Sequence, residues 1–329
     1  MLREGKPRQV TLDVTHRCQL RCKYCSKWNT KFADVIEKEL KTEEWKKIIL
    51  KLKNWFCKDF AISLSGGEPF LRTDLFEIIK FARTLEINVV CITNAFSIKS
   101  LCEEILDSGL NCLCVSLNAI NDSSIHDLSR GTLVSCDRIL SSIFKLTELR
   151  QKKKSNLDIK ILTTIFPENM NELVPLVEFV SINKLNGIFF QLLEDWRESN
   201  SLLNYKAPVE LRKKHIDILK KEYIFDELIK RKQVEPLISN STKQLEYMKA
   251  FLKAPLNFIE NSTCNACDNN FFIDPYGNVR ICYNMTCIGN IKENSPEHLW
   301  INEKAQQCRN VAKKCKMGCR LLNCNFHDK

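Results

Sequence analysis

Three cysteines near the start of the chain have a spacing suited to metal chemistry. Cys18, Cys22 and Cys25 form a CxxxCxxC motif just after the first predicted strand. Three such thiolates can converge on one point, but they leave a four-coordinate zinc ion or an iron–sulfur cluster one ligand short. Either His16 or a remote cysteine completes a zinc site, or the group keeps one position open for an exogenous ligand.

A second group of cysteines lies near the end of the chain. Of the 17 cysteines, eight fall between Cys264 and Cys324. Cys264-X2-Cys267, followed by a DPYGN turn and Cys282, is a metal-binding spacing. A zinc ribbon is one fold that would use it. The candidate ligands are Cys264, Cys267, Cys282, Cys315, Cys319 and Cys324.

A glycine-rich turn, Ser65-Gly66-Gly67-Glu68-Pro69, follows the second predicted strand. Glycines there let a ligand approach the main chain closely. Together with the CxxxCxxC loop, this Gly-Gly-Glu turn resembles the radical S-adenosylmethionine enzymes. The resemblance implies a [4Fe-4S] cluster on Cys18, Cys22 and Cys25 whose open iron is chelated by S-adenosylmethionine. It also implies that the backbone at Gly66, Gly67 and Glu68 binds the methionyl amine.

Other polar residues follow the predicted strands. In the family, side chains at such positions bind the ribose and carboxylate of S-adenosylmethionine, and a cap or turn role is the alternative. The candidates here are Asn94, Ser116, Asn118 and Arg130. Glu194, Asp195 and Trp196 follow the sixth strand, where they could hold a polar substrate or cap the next helix.

The cysteine-rich tail resembles the SPASM or twitch extension of the same family. Its Cys267-X9-Gly277-X4-Cys282 stretch carries the resemblance, which implies one or two auxiliary iron–sulfur clusters. The first ligand set would be Cys264, Cys267, Cys282 and one of Cys315 or Cys319. The end of the tail, Cys315-X3-Cys319-X4-Cys324, departs from the SPASM order. The first three cysteines of the tail, in the spacing CX2CX14C, also resemble those of the molybdenum-cofactor enzyme that rearranges GTP. The chain ends in NCNFHDK without that enzyme's Gly-Gly, and we do not expect that activity.

The elements that must position these residues alternate between strands and helices, which predicts βα units and a parallel sheet. The predicted strands are Val10–Val14, Phe60–Leu64, Asn88–Thr93, Leu113–Leu117, Ile159–Ile165 and Gly187–Leu193. Periodicity alone allows an open doubly wound sheet or a partial barrel. With the resemblance, the expected fold is α/β: a partial (β/α)6 TIM-like barrel over 1–193, a helical linker over 194–260, and a small cysteine-rich iron–sulfur domain over 261–329. That tail is short of aliphatic residues, and we expect it to need metal to fold.

Composition excludes several classes of protein. With 44% hydrophobic and 27% charged residues among 329, the chain is globular rather than disordered. It has no apolar run long enough to span a membrane and no signal peptide, so we expect a cytoplasmic protein, in keeping with its many cysteines. We attribute the net charge of +10 to lysine side chains that are exposed to solvent. Nucleic acid is therefore not an expected partner.

The resemblance implies reductive cleavage of S-adenosylmethionine to a 5′-deoxyadenosyl radical that abstracts hydrogen from a substrate. We expect a ribosomally synthesised peptide, modified by thioether formation, carbon–carbon crosslinking or epimerisation. The alternative is a small molecule such as a sugar, antibiotic or cofactor precursor, supported by the nine residues before the first strand, too few for a leader-binding domain. RNA modification and a non-catalytic cluster scaffold are weaker hypotheses. A reductant such as flavodoxin or ferredoxin is expected as a partner.

Overall fold

The computed structural model describes residues 5–25, 38–56, 60–194 and 209–326. Its first half consists of strands that alternate with helices. The strands are β1 (Gln9–Thr15), β2 (Ala61–Gly66), β3 (Asn88–Thr93), β4 (Cys112–Ser116), β5 (Asp158–Ile165) and β6 (Gly187–Leu192). The helices are α1 (Thr42–Phe56), α2 (Leu75–Thr84), α3 (Cys102–Asp107), α4 (Ser123–Arg130), α5 (Ser135–Lys153) and α6 (Leu173–Ile182).

Helices dominate the next stretch, and short elements form the tail. The helices are α7 (Val209–Leu219), α8 (Tyr223–Val234), α9 (Thr242–Lys253) and α10 (Pro255–Glu260). The tail holds α11 (Ala266–Asn269), β7 (Asn270–Ile273), β8 (Asn278–Arg280), β9 (Gly289–Asn290), α12 (Pro296–Ile301) and α13 (Glu303–Ala312).

The strands form one sheet in the order β6-β5-β4-β3-β2-β1-β7-β8-β9. Strands β1 to β6 are parallel to their neighbours in chain order, and β6 is not paired back to β1. The sheet is therefore the unclosed barrel expected from the resemblance, and the six predicted strands are present. Each predicted strand agrees with the observed one to within one or two residues at either end.

The two faces of the barrel sheet have different surroundings. Strand β5 alternates strictly between half-buried and buried residues. The buried set, including Ile159 and Ile161, packs under the outer helices in the hydrophobic core. The other set, including Lys160 and Leu162, lines an internal cavity. One face of these strands is therefore buried by packing, and the other face lines open space.

The cysteine-rich tail shares the core of the barrel. Strand β7 pairs in parallel with β1, from Gln9 opposite Asn270 to Leu12 opposite Ile273. Phe271 is fully buried, with its ring 5.3 Å from that of Trp55 on α1. The scarcity of aliphatic residues in the tail is thus offset by packing against the barrel. No helix in the described ranges is long and apolar enough to cross a membrane.

Candidate functional site

A cavity of about 1360 Å³ lies inside the barrel and is walled on one side by the tail. Polar side chains from five barrel strands face it, among them Thr11, Ser63, Ser116, Lys160 and Gln191. The tail contributes the segment from Tyr283 to Thr286 and the segment from Leu322 to Cys324. The cavity therefore connects the carboxyl ends of the barrel strands with the cysteine-rich region.

The CxxxCxxC loop is held against the Gly-Gly-Glu turn by backbone contacts. The amide of Gly67 donates to the carbonyl of Thr15 at 2.8 Å, and that of Glu68 donates to Arg17 at 2.7 Å. A Cβ on Gly66 would lie 2.2 Å from the Thr15 oxygen, and one on Gly67 would lie 2.1 Å from the Arg17 oxygen. Only glycine fits at these two positions, because any side chain would push the cysteine loop away.

The other side of the loop rests on the end of α4. The amide of Lys23 donates to the carbonyl of Ser129 at 3.0 Å. Gly131 caps α4 in the left-handed conformation at φ 68°, where a Cβ would lie 2.1 Å from the carbonyl oxygen of Arg21. The loop is thus fixed between two glycine-dependent contacts from opposite sides.

Two donors reach the sulfur atoms of this loop. The Nδ2 of Asn94 lies 3.7 Å from Cys18 Sγ, and the Nη1 of Arg130 lies 4.0 Å from Cys22 Sγ. The buried Nε of Arg130 has no hydrogen-bond partner among the described residues, and Arg130 lines the cavity. The hydrogen-bonding capacity of this donor is therefore unused among the described residues. Burial raises the pKa of Cys18 to about 11, so a bound metal must displace its proton.

The carboxyl group of Glu68 points into the wall. It accepts from Thr93 Oγ1 and the amide of Asn94, each at 2.8 Å, and from the amide of Phe70 at 3.2 Å. Burial raises the pKa of Glu68 to about 7. The side chain ties the end of β2 to the end of β3, which leaves the backbone as the part that could face a ligand.

The remaining candidate residues fall into two groups. Ser116, Arg130 and Glu194 line the same cavity as Cys25. Asn118 is turned into the wall, where its Nδ2 donates to Ser129 Oγ at 2.9 Å and its Oδ1 accepts from the amide of Thr164. The side-chain oxygen of Asn94 likewise accepts from the amide of Phe96. Asp195 and Trp196 lie outside the described residues.

The thiols of the tail gather around Cys282. The interaction between the Cys267 and Cys282 thiols raises the pKa of Cys267 and lowers that of Cys282. Burial raises the pKa of Cys264 to about 11 and that of Cys324 to about 12. Cys282 interacts electrostatically with five other thiols: Cys264, Cys308, Cys315, Cys319 and Cys324. Cys287 bonds instead to the backbone of Gly289.

The tail has two features that the motifs did not indicate. Cys308 lies on α13, its carbonyl accepts from Cys267 Sγ at 3.7 Å, and its thiol belongs to the group around Cys282. Arg320 is buried and donates to the carbonyls of Cys315, Ser262 and Ile259, so its positive charge lies beside the thiols. The inward position of Cys308 on an amphipathic helix was the available signal, whereas the Arg320 contacts are between residues far apart in sequence.

This donor set fits iron–sulfur clusters. A ligand set made of buried thiols, with nearby N–H donors and an arginine, suits clusters that carry negative charge. In the described ranges, no three His, Cys, Asp or Glu side chains are arranged to hold a single metal ion.

Comparison with known proteins identifies both regions. Residues 12–180, about half of the chain, match the model of the radical SAM superfamily. Residues 264–325 match SPASM, an iron–sulfur cluster-binding domain. The PqqA peptide cyclase of Bradyrhizobium diazoefficiens is 36% identical over 119 residues, which cover 36% of this chain and 30% of that protein. A GTP 3′,8-cyclase of Campylobacter jejuni is 28% identical over 240 residues, or 71% of this chain and 69% of the relative.

Solved structures of similar fold cover nearly the whole chain. Streptococcus suis SuiB bound to S-adenosylmethionine has a TM-score of 0.66 at 18% identity, covering 96% of this chain and 74% of SuiB. The protein anSMEcpe with bound AdoMet has a TM-score of 0.66 at 17% identity, covering 98% of this chain and 91% of that one. With the two family matches, the fold and the thiol groups lead to one conclusion. This chain belongs to the radical S-adenosylmethionine superfamily, has a C-terminal SPASM domain, and has iron–sulfur clusters and S-adenosylmethionine as its cofactors.

Proposed function

We propose that this chain cleaves S-adenosylmethionine at a cluster held by Cys18, Cys22 and Cys25 and uses the radical to modify a ribosomally synthesised peptide. The observation that carries the proposal is the open cavity of about 1360 Å³, which reaches from Cys25 and Arg130 to the SPASM wall. A cavity of this size has room for a cofactor together with part of a polypeptide. Thioether formation, carbon–carbon crosslinking and epimerisation are the candidate modifications.

Relatives that act on peptides support this choice of substrate. The PqqA peptide cyclase is named for its peptide, and solved structures of SuiB and anSMEcpe include the precursor peptide SuiA and the Cp18Cys peptide. SuiB and anSMEcpe share the fold of this chain.

The residues of the chain bind and orient. When bound, the cluster and S-adenosylmethionine supply a 5′-deoxyadenosyl radical that takes a hydrogen atom from an unactivated carbon. The backbone at Gly66 and Gly67 and the side chains of Ser116 and Arg130 would hold S-adenosylmethionine, Arg130 through its unpaired Nε. Asn94 and Asn118 would act through their backbone or by fixing the wall, and Glu68 by tying β2 to β3. Glu194, with Asp195 and Trp196, would contact the substrate.

The tail would hold the auxiliary clusters. We assign the first to Cys264, Cys267, Cys282 and one of Cys315 or Cys319. Cys308 and Cys324 lie in the same thiol group and could serve a second cluster. Arg320 would offset the negative charge of the ligands. We propose that the chain has three parts with different roles: the barrel over 1–193, the helical linker over 194–260 and the iron–sulfur domain over 261–329.

The chemistry of the reaction indicates the cellular compartment and the electron donor of the protein. Free thiols and a low-potential cluster require a reducing compartment, so we place the protein in the cytoplasm. Flavodoxin or ferredoxin would supply the electrons.

A small-molecule substrate is the second candidate. It is favoured by the GTP 3′,8-cyclases, whose alignments cover more of this chain than that of the peptide cyclase. The polar side chains of the cavity would suit a nucleotide or sugar as well as a peptide.

Formation of 5′-deoxyadenosine tests the radical chemistry. The reconstituted protein, reduced with dithionite and given S-adenosylmethionine, should form it, whereas the Cys18/Cys22/Cys25→Ala variant should not. That variant should still retain the iron of the tail. Zinc in place of iron in the parent protein would contradict the proposal.

Mass spectrometry then separates the two substrate classes. Peptides encoded beside the gene and GTP are offered to the same preparation in parallel. A mass change in a peptide, dependent on S-adenosylmethionine, supports peptide modification. Consumption of GTP without any peptide change would favour the second candidate.

A further inference from the structure

Two cysteines that belong to neither iron–sulfur group face the cavity. Cys112 and Cys114 occupy alternate positions on β4, so both side chains point to the same face of the sheet. Both line the cavity, and their sulfur atoms are 3.8 Å apart. This distance is short enough for an S–H···S hydrogen bond and for one thiophilic atom to bridge the pair.

The two sulfurs differ in their protonation. The two thiols are hydrogen-bonded to each other, and this contact lowers the pKa of Cys112 and raises that of Cys114. Lys160 lies opposite Cys114 in the register of β4 and β5, and its positive charge also favours a Cys112 thiolate, against the charge of Asp158. Cys114 therefore retains its proton more readily than Cys112.

The pair lies on the same strand as a proposed cofactor residue, nearer the amino end of that strand. Ser116 follows Cys114 by two residues on β4, and both line the cavity with Cys25 and Arg130. Two residues of a strand span about 6.6 Å. A carbon atom held in the cavity nearer the amino end of β4 than the cofactor residues is thus in the space that the Cys114 thiol faces.

We propose that Cys114, supported by Cys112 and Lys160, donates a hydrogen atom to carbon radicals formed in this cavity. The inference rests on the proposed radical function and narrows it. A substrate carbon that loses one hydrogen atom regains another from the thiol, so the product has the same oxidation state and a hydrogen derived from solvent. Among the candidate modifications, this favours epimerisation over bond formation.

The step balances with one further electron. The S–H bond of Cys114 breaks, a C–H bond forms, and a thiyl radical remains. The thiyl radical shares its unpaired electron with the adjacent Cys112 thiolate in an S–S bonded radical anion, whose charge Lys160 offsets. One electron from the low-potential carrier that also reduces the cluster, together with one proton from solvent, restores the thiol and the thiolate.

Phenylarsine oxide tests the pair without any substrate. Holoprotein with its clusters assembled should bind one arsenical, and peptide mapping should place it on Cys112 and Cys114. Cys112→Ser and Cys114→Ser should each abolish this adduct. Cys102→Ser is the matched control, because Cys102 is buried on α3 and does not line the cavity. Absence of the adduct from the wild-type protein would overturn the proposal.

Deuterium tests the hydrogen transfer. When the dithionite-reduced protein is given S-adenosylmethionine and no substrate, the carbon radical in the cavity is the 5′-deoxyadenosyl radical. In deuterium oxide, the wild-type protein and Cys102→Ser should form 5′-deoxyadenosine that carries deuterium. Cys114→Ser should lose it, because a serine hydroxyl does not donate a hydrogen atom to a carbon radical. If this variant does not fold, wild-type protein blocked with the arsenical should show the same loss.

Two results would overturn the proposal: undeuterated product from the wild-type protein, or deuterium that persists after the Cys114 substitution. A further outcome is that the untreated protein forms no 5′-deoxyadenosine even though the separate mapping experiment finds the arsenical adduct. In that case the proposed function itself fails, and the hydrogen-donor role fails with it. The adduct then distinguishes that case from an error in the geometry of the pair.

Discussion

The Glu68 carboxyl group accepts three hydrogen bonds in a fully buried position, and this gives it a pH-dependent effect on stability. Burial raises its pKa from an ordinary 4.5 to about 7 in the folded chain. The folded state therefore binds this proton more tightly than the unfolded state. The stability it contributes is complete below pH 4.5 and is lost as the pH rises to about 7, by roughly 3 kcal/mol.

Glu68→Gln should remove this dependence. The amide does not titrate, so the midpoint of thermal unfolding should change less between about pH 5 and pH 8 than in the wild-type protein. The variant should also be less stable by about 1–3 kcal/mol at low pH, because its NH2 group faces a donor. Glu77→Gln, at a half-exposed side chain on α2, should keep the wild-type pH profile. An unchanged profile in Glu68→Gln would contradict the assignment.

Among the elements, the turn after β2 depends on Gly67, because a residue with a side chain does not fit at this position. Gly67→Ala should lower stability by several kcal/mol and displace the cysteine loop, because its Cβ would lie 2.1 Å from the Arg17 oxygen. Gly5→Ala has a left-handed φ of 81° but no atom within 4 Å of its Cβ, so it should cost only about 1 kcal/mol. Thermal unfolding and iron content after reconstitution measure both effects. Equal losses in the two variants would show that the close contact is unimportant.

The pairing of the tail with the barrel depends on the apolar side chains of β7. Phe271→Ala should destabilise the whole chain by about 3–5 kcal/mol, since the ring packs on Trp55 and Trp300 in the core. Tyr223→Ala, at a largely exposed side chain, should change stability by less than about 0.5 kcal/mol. Chemical unfolding followed by fluorescence gives both values. A loss confined to the tail, with the barrel unchanged, would mean that the two regions are independent.

The sequence allowed the barrel strands and the cysteine motifs to be predicted because these signals are local. The apolar runs gave the strands, and spacing alone singled out Cys18, Cys22 and Cys25. The pairing of β7 with β1 joins residues far apart in the chain, and no periodicity reveals it. The direction of the Glu68 side chain and the 3.8 Å contact of Cys112 with Cys114 depend on tertiary packing, so they required the structure.

For the molecule as a whole, iron binding should depend on pH. Burial raises the pKa values of Cys18 and Cys264 to about 11, and that of Cys324 to about 12, so these thiols are protonated near neutral pH when free. Cluster assembly must release their protons, and lower pH opposes it. Iron retained against a chelator should therefore fall from about pH 8 to pH 6. Retention independent of pH would contradict the ligand assignment.

The pairing of β1 with β7 joins two strands that are synthesised at very different times. Strand β1 leaves the ribosome early, but its second neighbour, β7, is translated only about 250 residues later. At about 5–20 residues per second, one edge of β1 stays open for roughly ten to fifty seconds. An open strand edge is a site for wrong pairing with other chains. A chaperone that covers this edge during synthesis should therefore raise the yield of folded protein.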